Sequence, residues 1–183
     1  MNTCHFGDCR DTMRRLIAEG VKVQTCVTSP PYWGLRDYGH SWHLGLESDP
    51  HEYIANMVEV FRLVRDLLAD DGTLWLNLGD CYASSGRGGN PTAEAVPSPE
   101  GLKQKDLCMI PERVAIALQA DGWYLRSKIT WCKPNGMPES VTDRPTVATE
   151  QVFLLSKDER YYYNAQAVRM PPAESSMARW AQY

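Results

Sequence analysis

The spacing of apolar positions changes twice near the start of the chain. Residues 4–8 predict a short opening strand that ends in Gly-Asp. Apolar positions at helical spacing then predict a helix over about 11–18, with Asp11 and Thr12 at its cap. The apolar run over 21–27 predicts a buried strand. Strand, helix, strand is the repeating unit of a parallel sheet.

The strongest helical pattern follows an aromatic-rich loop over residues 33–48. Apolar positions recur every three or four residues over 53–68, after Asp49 as N-cap and Pro50 in the first turn. This stripe is typical of core packing. The run over 73–78 predicts the next buried strand, which again ends in Gly-Asp.

The last part of the chain predicts one helix and two strands. Pro111 begins a helix over 112–120. Strand patterns follow over 123–132 and 151–156, and their proline-rich connection leaves no room for a helix, so we expect an antiparallel pair. Residues 83–106 are rich in Ser, Gly and Pro and predict a mobile loop. The pattern is α/β, and 183 residues suit a single domain.

Composition is that of a globular protein, with 43% apolar and 23% charged residues. No stretch approaches the roughly 20 apolar residues of a membrane-spanning helix, and the N-terminus lacks the pattern of a signal peptide. We therefore expect a cytoplasmic protein that does not associate with membranes. Its six scattered cysteines are expected to be reduced and mostly buried. Cys4, His5 and Cys9 lack the second ligand pair of a structural zinc site, so no metal is predicted.

The net charge of −4 argues against a protein that coats nucleic acid nonspecifically. It is compatible with a DNA enzyme that has a local basic face. Basic residues gather over 10–15 and again over 103–144, and taken alone each group is explained equally by a solvated surface.

The segment Thr28-Ser29-Pro30-Pro31-Tyr32-Trp33 stands at the end of the strand predicted over 21–27. Two consecutive prolines cannot continue a hydrogen-bonded ladder, so a polar and an aromatic side chain leave the sheet edge together. This arrangement could hold a flat base. A strand-ending turn is the plainer interpretation of the segment alone.

Several other segments accompany this one. They are Gly7-Asp8-Cys9, Leu76-Asn77-Leu78-Gly79-Asp80, Trp131-Cys132-Lys133-Pro134-Asn135 and the regions 138–145 and 153–157. In this order, from about Gly7 to Met170, the chain resembles the amino-methylating DNA methyltransferases of bacteria and phages, which occur in restriction-modification systems. The resemblance is to members with the catalytic strand near the N-terminus. It implies a Rossmann-like S-adenosylmethionine-dependent methyltransferase fold, with a mainly parallel sheet and a C-terminal antiparallel strand pair.

The resemblance implies a catalytic role for the Ser-Pro-Pro-Tyr segment. In the family the target base is flipped out of the duplex and stacks on the aromatic of the motif, here Tyr32. The Ser29 hydroxyl and the Pro30 carbonyl then accept hydrogen bonds from the exocyclic amine, which turns its lone pair toward the methyl group. Pro30 and Pro31 stiffen the loop, which suits catalysis by positioning. The implied catalytic residues are Ser29, Pro30, Pro31 and Tyr32.

The resemblance also implies contacts to cofactor and DNA. The cofactor S-adenosylmethionine is assigned to Asp8, Cys9 and Ser29. Double-stranded DNA is assigned to Trp33, Arg36, Tyr38, Lys133 and Arg144. Alternatives stay open. Asp8 could cap the following helix, and Trp33, Arg36 and Tyr38 could pack within their loop. Lys133 and Arg144 could belong to a solvated surface. Asp80 is either at the rim of the pocket or in a turn.

One family motif does not occur in the 183 residues. The Gly-rich cofactor segment, Phe-x-Gly-x-Gly, is expected after a C-terminal recognition region in this motif order. The sequence therefore resembles an incomplete catalytic domain spanning residues 1–183. It is truncated, or completed by a C-terminal segment or by a second copy in a homodimer, or it is an inactive remnant.

The first position of the motif bears on the choice of base. Within the family, serine is associated with N4 of cytosine, and aspartate or asparagine with N6 of adenine. We therefore expect methylation of cytosine N4 in double-stranded DNA, with adenine N6 as the alternative. An inactive DNA-binding or partner-binding remnant is an alternative of a different class, and a nucleotide-binding α/β protein of unrelated chemistry is another.

Overall fold

The computed structural model describes residues 2–39, 43–83, 101–136 and 138–171. Its elements are α1 (Cys9–Ala18), β1 (Val23–Thr28), α2 (Pro50–Leu67), β2 (Leu68–Leu78), α3 (Ile110–Ala120), β3 (Tyr124–Cys132) and β4 (Thr149–Ser156). This confirms the predicted α/β class. Most of the loop predicted over 83–106 lies outside the described residues. None of the helices described is long and apolar enough to cross a membrane.

The four strands form one sheet in the order β1-β2-β4-β3. β1 pairs parallel with β2, whereas β4 pairs antiparallel with both β2 and β3. β1, β2 and β3 therefore run in one direction and β4 runs against them, which confirms the predicted antiparallel pair. Because β4 is reversed, its first residues lie beside the last residues of the other strands. Four chain segments thus meet at one edge of the sheet, the edge formed by the carboxyl ends of β1, β2 and β3 and the first residues of β4.

One face of the sheet carries the hydrophobic core. Alternate residues of β2, namely Leu74, Leu76 and Leu78, are fully buried and cluster with Phe153 and Leu155 of β4. Residues of α2 and α3 complete this cluster, including Met57, Phe61, Val114 and Leu118. The start of α2 is as predicted, since the Asp49 carboxylate accepts a hydrogen bond from the His51 N–H at 2.8 Å. The helix ends at Leu67, earlier than the sequence predicted, and β2 begins at once.

The opposite face of the sheet is partly open. The strand register brings Val27, Trp75, Val152, Ile129 and Trp131 to this side, which we call the open face. Val27 is 76% exposed and Trp131 is 61% exposed. Apolar side chains this exposed within a sheet are typical of a surface that another segment covers.

Four expectations about the first elements and the cysteines were wrong. Residues 4–8 form no strand, and Phe6 is 92% exposed, because no described strand pairs with this segment. Helix α1 begins at Cys9 with Asp8 as its N-cap, two residues before the expected start. The predicted buried strand, β1, is only half-buried, since it is an edge strand of the described sheet. Among the six free cysteines, only Cys108 is buried.

The core position of Leu76 allows a test of the fold. Leu76→Ala should lower the free energy of unfolding by about 2–5 kcal/mol, because it removes buried contacts and leaves a cavity. Ile116→Ala on the exposed side of α3 is the matched control, with an expected change within about 0.5 kcal/mol. Urea unfolding measures both. Equal effects of the two substitutions would contradict the assigned core.

Candidate active site

The candidate site lies at the sheet edge where four segments meet. Ser29 follows β1, Asn77 lies near the end of β2, Lys133 follows β3 and Glu150 is the second residue of β4. A cleft of about 590 Å³ opens here, within the roughly 300–1,000 Å³ typical of small-molecule sites. Its lining includes Ser29, Pro30, Tyr32, Arg36, Tyr38, Asp80, Lys133, Arg144 and Glu150. Ligands of α/β sheets bind at this kind of edge.

A chain of hydrogen bonds connects these segments through the Tyr32 hydroxyl. The Ser29 hydroxyl donates to the Tyr32 oxygen at 3.1 Å. The phenol lies 2.8 Å from Asn77 Oδ1 and 3.2 Å from Glu150 Oε2. The Lys133 ammonium donates to the other oxygen of Glu150. The Ser-Pro-Pro-Tyr segment is thereby joined to β2 and β4, which lie far from it in sequence.

The backbone around the motif fixes the position of the Tyr32 ring. A Cβ on Gly79 would lie 2.6 Å from Cε2 of this ring, so the ring packs directly on the glycine backbone. The Pro31 carbonyl accepts a hydrogen bond at 2.9 Å from the hydroxyl of Tyr53, which is fully buried. The motif is thus anchored in the core on one side and in close contact with β2 on the other.

The ionisable groups of the chain of hydrogen bonds have perturbed pKa values. Burial is the main cause that raises the pKa of the Tyr32 phenol, so the phenol keeps its hydrogen at neutral pH. Burial also acts to raise the pKa of Glu150, but hydrogen bonds from Lys133 and Asn77 outweigh it and lower the pKa below its usual value. Glu150 is therefore a carboxylate at neutral pH.

Asp80 combines a place at the rim of the cleft with a structural role. Its Oδ1 accepts hydrogen bonds from the backbone N–H groups of Cys81 at 2.9 Å and of Ile110 at 3.0 Å. The second bond caps the first turn of α3, whose own N-cap residue, Met109, provides no side-chain bond. Packing around the carboxyl desolvates it and raises its pKa, against the effect of these bonds. Asp80 therefore lies at the rim of the cleft and also stabilises the local turn, so both alternatives offered by the sequence apply.

Lys133 and Arg144, which are predicted to contact DNA, line the cleft, and each has a carboxylate partner. Nη1 of the Arg144 guanidinium lies 2.6 Å from Oε2 of Glu139. The guanidinium carbon of Arg144 is 4.0 Å from the centre of the Tyr82 ring. Lys133 is paired with Glu150. Arg36 and Tyr38, also predicted to contact DNA, are exposed and line the same cleft. These four residues line one cleft, and their contact with DNA stays a prediction.

Trp33 is placed differently from the prediction. It is only 3% exposed, and its indole N–H donates to the Glu47 carbonyl at 2.9 Å. The ring belongs to the hydrophobic core, so the predicted DNA contact is corrected to packing within the loop. The tryptophan next to the motif holds the following loop in place.

The structure does not bring Asp8 and Cys9 to the cleft. The Asp8 carboxylate accepts from the backbone N–H of Arg10 at 2.8 Å and forms an ion pair of 2.7 Å with its guanidinium. The hydrogen bonds from Arg10 lower the pKa of Asp8. Asp8 is therefore the helix cap that the sequence offered as one alternative, and a cofactor contact of Asp8 or Cys9 stays a prediction.

Sequence reasoning missed Glu150 and Gly79 as parts of the site. The last strand was predicted to begin at 151, which left Glu150 in the preceding connection. The predicted antiparallel pairing was the available signal, because it places the first residues of that strand at the edge where Ser29 lies. Gly79 belonged to a recognised segment, but only the structure shows the Tyr32 ring packed on it.

Solved structures of DNA methyltransferases have a similar fold. The PvuII DNA methyltransferase, described as cytosine-N4-specific, matches with a TM-score of 0.63 and 20% identity, covering 92% of this chain and 54% of that one. M1.HpyAVI in complex with SAM matches with a TM-score of 0.56 and 14% identity, covering 91% and 62% of the two chains. The architecture is thus the Rossmann-like α/β fold of these methyltransferases, as predicted.

Sequence comparisons define the family. A DNA methylase family model matches residues 23–182. The Type II methyltransferase M.SmaI of Serratia marcescens is 49% identical over 181 residues, covering 93% of this chain and 61% of the relative. M.Cfr9I of Citrobacter freundii is 53% identical over 176 residues, covering 91% and 58%. The chain belongs to the DNA methylase family, and it spans less than two thirds of the length of these relatives.

The close approach of Tyr32 to Gly79 generates a prediction. Gly79→Ala should lower the free energy of unfolding by about 1–3 kcal/mol, because the new methyl group overlaps the ring. In a Tyr32→Ala background the ring is gone, so the same substitution should have almost no effect. Urea unfolding of the four proteins of this double-mutant cycle measures the difference. An equal cost in both backgrounds would show that the ring is not the group that Gly79 accommodates.

Proposed function

We propose that this chain is the catalytic part of a DNA methyltransferase that methylates the exocyclic amine of a flipped base in double-stranded DNA. The observation that carries the proposal is the juxtaposition of the Ser29 hydroxyl and the Tyr32 ring at an open cleft. A base that stacks on the ring face turned away from Gly79 has its amine within reach of Ser29. Membership of the DNA methylase family supports the same reaction.

The chemical difficulty of this reaction is the low nucleophilicity of the amine. Its lone pair is conjugated with the ring of the base and is poorly available for attack. Hydrogen bonds accepted by the Ser29 hydroxyl and the Pro30 carbonyl draw the amine toward tetrahedral geometry, which frees the lone pair. Tyr53 and Gly79 hold the motif rigid, so these acceptors are positioned before the base arrives.

We propose cytosine N4 as the methylated atom, with adenine N6 as the alternative outcome. The first position of the motif is Ser29, which offers a neutral hydroxyl. In the family that the chain resembles, aspartate or asparagine at this position is associated with adenine, and serine with cytosine. A solved structure of the same fold is described as cytosine-N4-specific, which agrees with this choice.

We propose that DNA approaches along the rim formed by Arg36, Tyr38, Lys133 and Arg144. These side chains line one cleft and combine positive charge with an aromatic ring. Cations at such a rim suit contacts to phosphate, which orient a duplex without reading its sequence.

S-adenosylmethionine, which supplies the methyl group, fits the described residues only in part. Ser29 faces the open cleft, whereas the Asp8 carboxylate is already held by Arg10. We propose that a further segment, outside the described residues, covers the open face and completes this cofactor site. The exposure of Val27 and Trp131 supports a covering segment. A second copy of the chain in a homodimer is the alternative.

Methyl transfer is the direct test. The chain is incubated with tritiated S-adenosylmethionine and unmethylated DNA, alone and with the unmatched portion of the Serratia marcescens relative added as a separate polypeptide. We expect label in DNA, recovered as N4-methylcytosine. Ser29→Ala and Tyr32→Ala should abolish it, whereas Ile116→Ala on the far surface of α3 should not. Absence of label in both mixtures, with DNA binding that weakens as salt rises, would favour the inactive remnant.

Thermal unfolding tests the completing segment. S-adenosylmethionine should leave the melting temperature of the chain alone nearly unchanged. With the added portion of the relative, cofactor at 100 times its Kd should stabilise the complex by about 2.7 kcal/mol. Strong stabilisation of the chain alone would contradict the need for a further segment. A molecular mass twice that of the chain in sedimentation would instead favour the homodimer.

A further inference from the structure

The hydrogen bonds around Tyr32 have a defined direction. A phenol has one hydrogen to donate, and the Tyr32 oxygen lies close to Asn77 Oδ1 and Glu150 Oε2. A carboxylate can only accept. The Asn77 amide donates through its NH₂ group to the Gln151 carbonyl at 3.2 Å, which turns its Oδ1 toward the phenol. Both neighbours on this side of Tyr32 are therefore acceptors, and the phenol hydrogen points at them.

The direction of the hydrogen bond from Tyr32 determines the direction of the hydrogen bond from Ser29. Because the phenol hydrogen is used, the Tyr32 oxygen offers only lone pairs to its other neighbour. The Ser29 hydroxyl, 3.1 Å away, must donate its own hydrogen to that oxygen. The Ser29 oxygen then has only lone pairs left for the cleft.

The charge on Glu150 reinforces this direction. A protonated carboxyl would place a donor beside the phenol oxygen, and only Asn77 Oδ1 would remain on this side to accept the phenol hydrogen. Lys133 bonds to the second oxygen of Glu150 and stabilises the carboxylate. Tyr32 retains its hydrogen because burial raises the pKa of the phenol. The two groups thus hold fixed protonation states across the neutral range.

We propose that Glu150 is a positioning residue that makes the Ser29 hydroxyl an obligatory hydrogen-bond acceptor toward the cleft. The site then selects a base that presents an amine over a base that presents a carbonyl at the same place. An amine of the base donates a hydrogen bond to the Ser29 oxygen. A carbonyl oxygen of the base would face the lone pairs of the Ser29 oxygen, so neither oxygen would have a hydrogen-bond partner there. This inference rests on the proposed function, because it assigns the base to the face of the cleft that Ser29 occupies.

The first test needs no catalytic activity. The chain is labelled with ¹³Cζ-tyrosine, and the Tyr32 signal is assigned by its loss in Tyr32→Phe. Titration in NMR then gives the pKa of the phenol. Glu150→Gln should lower this pKa, since a negative charge next to the phenol is removed. Glu139→Gln is the control, an acidic residue of the same cleft that pairs with Arg144, and it should leave the Tyr32 pKa unchanged.

The second test uses methyl transfer. Glu150→Gln should reduce kcat about 10- to 100-fold, the usual effect of losing a hydrogen bond to a charged group, with KM for DNA unchanged. Glu112→Gln, which removes a carboxylate paired with Lys128 away from the cleft, should leave kcat unchanged. A purely structural role of Glu150 would lower the melting temperature and would not separate kcat from KM.

The outcomes of the two tests are separable. A Tyr32 pKa that is the same with and without the Glu150 carboxylate overturns the inference, whether or not the chain methylates DNA. Equal kcat values for Glu150→Gln and the unsubstituted chain overturn it as well. If the unsubstituted chain transfers no methyl group under any condition, the proposed function fails, and the titration alone decides whether Glu150 orients the Tyr32 hydroxyl.

Discussion

The reversed direction of β4 is the constraint on which the candidate site depends. β4 lies between β2 and β3 and pairs with both along its length. If it ran parallel to them, Glu150 would lie at the far edge of the sheet, a full strand length from Ser29. The reversal brings a carboxylate from late in the chain to the hydroxyl of a motif near its start. The packing of Phe153 and Leu155 in the core holds this register, so core and site are fixed by the same strand.

Features encoded locally could be predicted from the sequence. The cap of α2 at Asp49 and the strand-ending position of Ser29 follow from residue types within a few positions of each other. The contact between Tyr32 and Glu150 spans 118 residues and depends on the register of β4 against β2. No local pattern encodes a register. The predicted start of the last strand was two residues late, and this error was sufficient to leave Glu150 out of the predicted site. The polar groups that orient the motif are therefore the part of the site that needed the structure.

The strand predicted over residues 4–8 does not form, and the reason is again an interaction that a local pattern cannot encode. A strand is stable only when neighbours take up its backbone hydrogen bonds, and residues 4–8 have none in the part of the chain described. Asp8 instead takes its role from the helix that follows and caps it, with Arg10 bound to its carboxylate. β1 likewise pairs with a described strand on one side only, and it is half-buried where a fully buried strand was predicted. Both departures from the sequence prediction thus involve backbone that lacks a described strand as a neighbour on at least one side.

The paired charges in the cleft bear on the proposed contacts between this site and DNA. A phosphate that binds Lys133 must compete with Glu150, and one that binds Arg144 must compete with Glu139. The net free energy of each contact is therefore the difference between two ion pairs. This agrees with the net charge of −4, which argues against nonspecific coating of nucleic acid. Movement of Lys133 to a phosphate would remove one hydrogen bond from Glu150 and raise its pKa, because burial would then be opposed by fewer bonds. Hydrogen bonds from Asn77 and Tyr32 would still favour the carboxylate, and Asn77 Oδ1 would still accept from the phenol, so these contacts would keep the direction of the Ser29 hydroxyl.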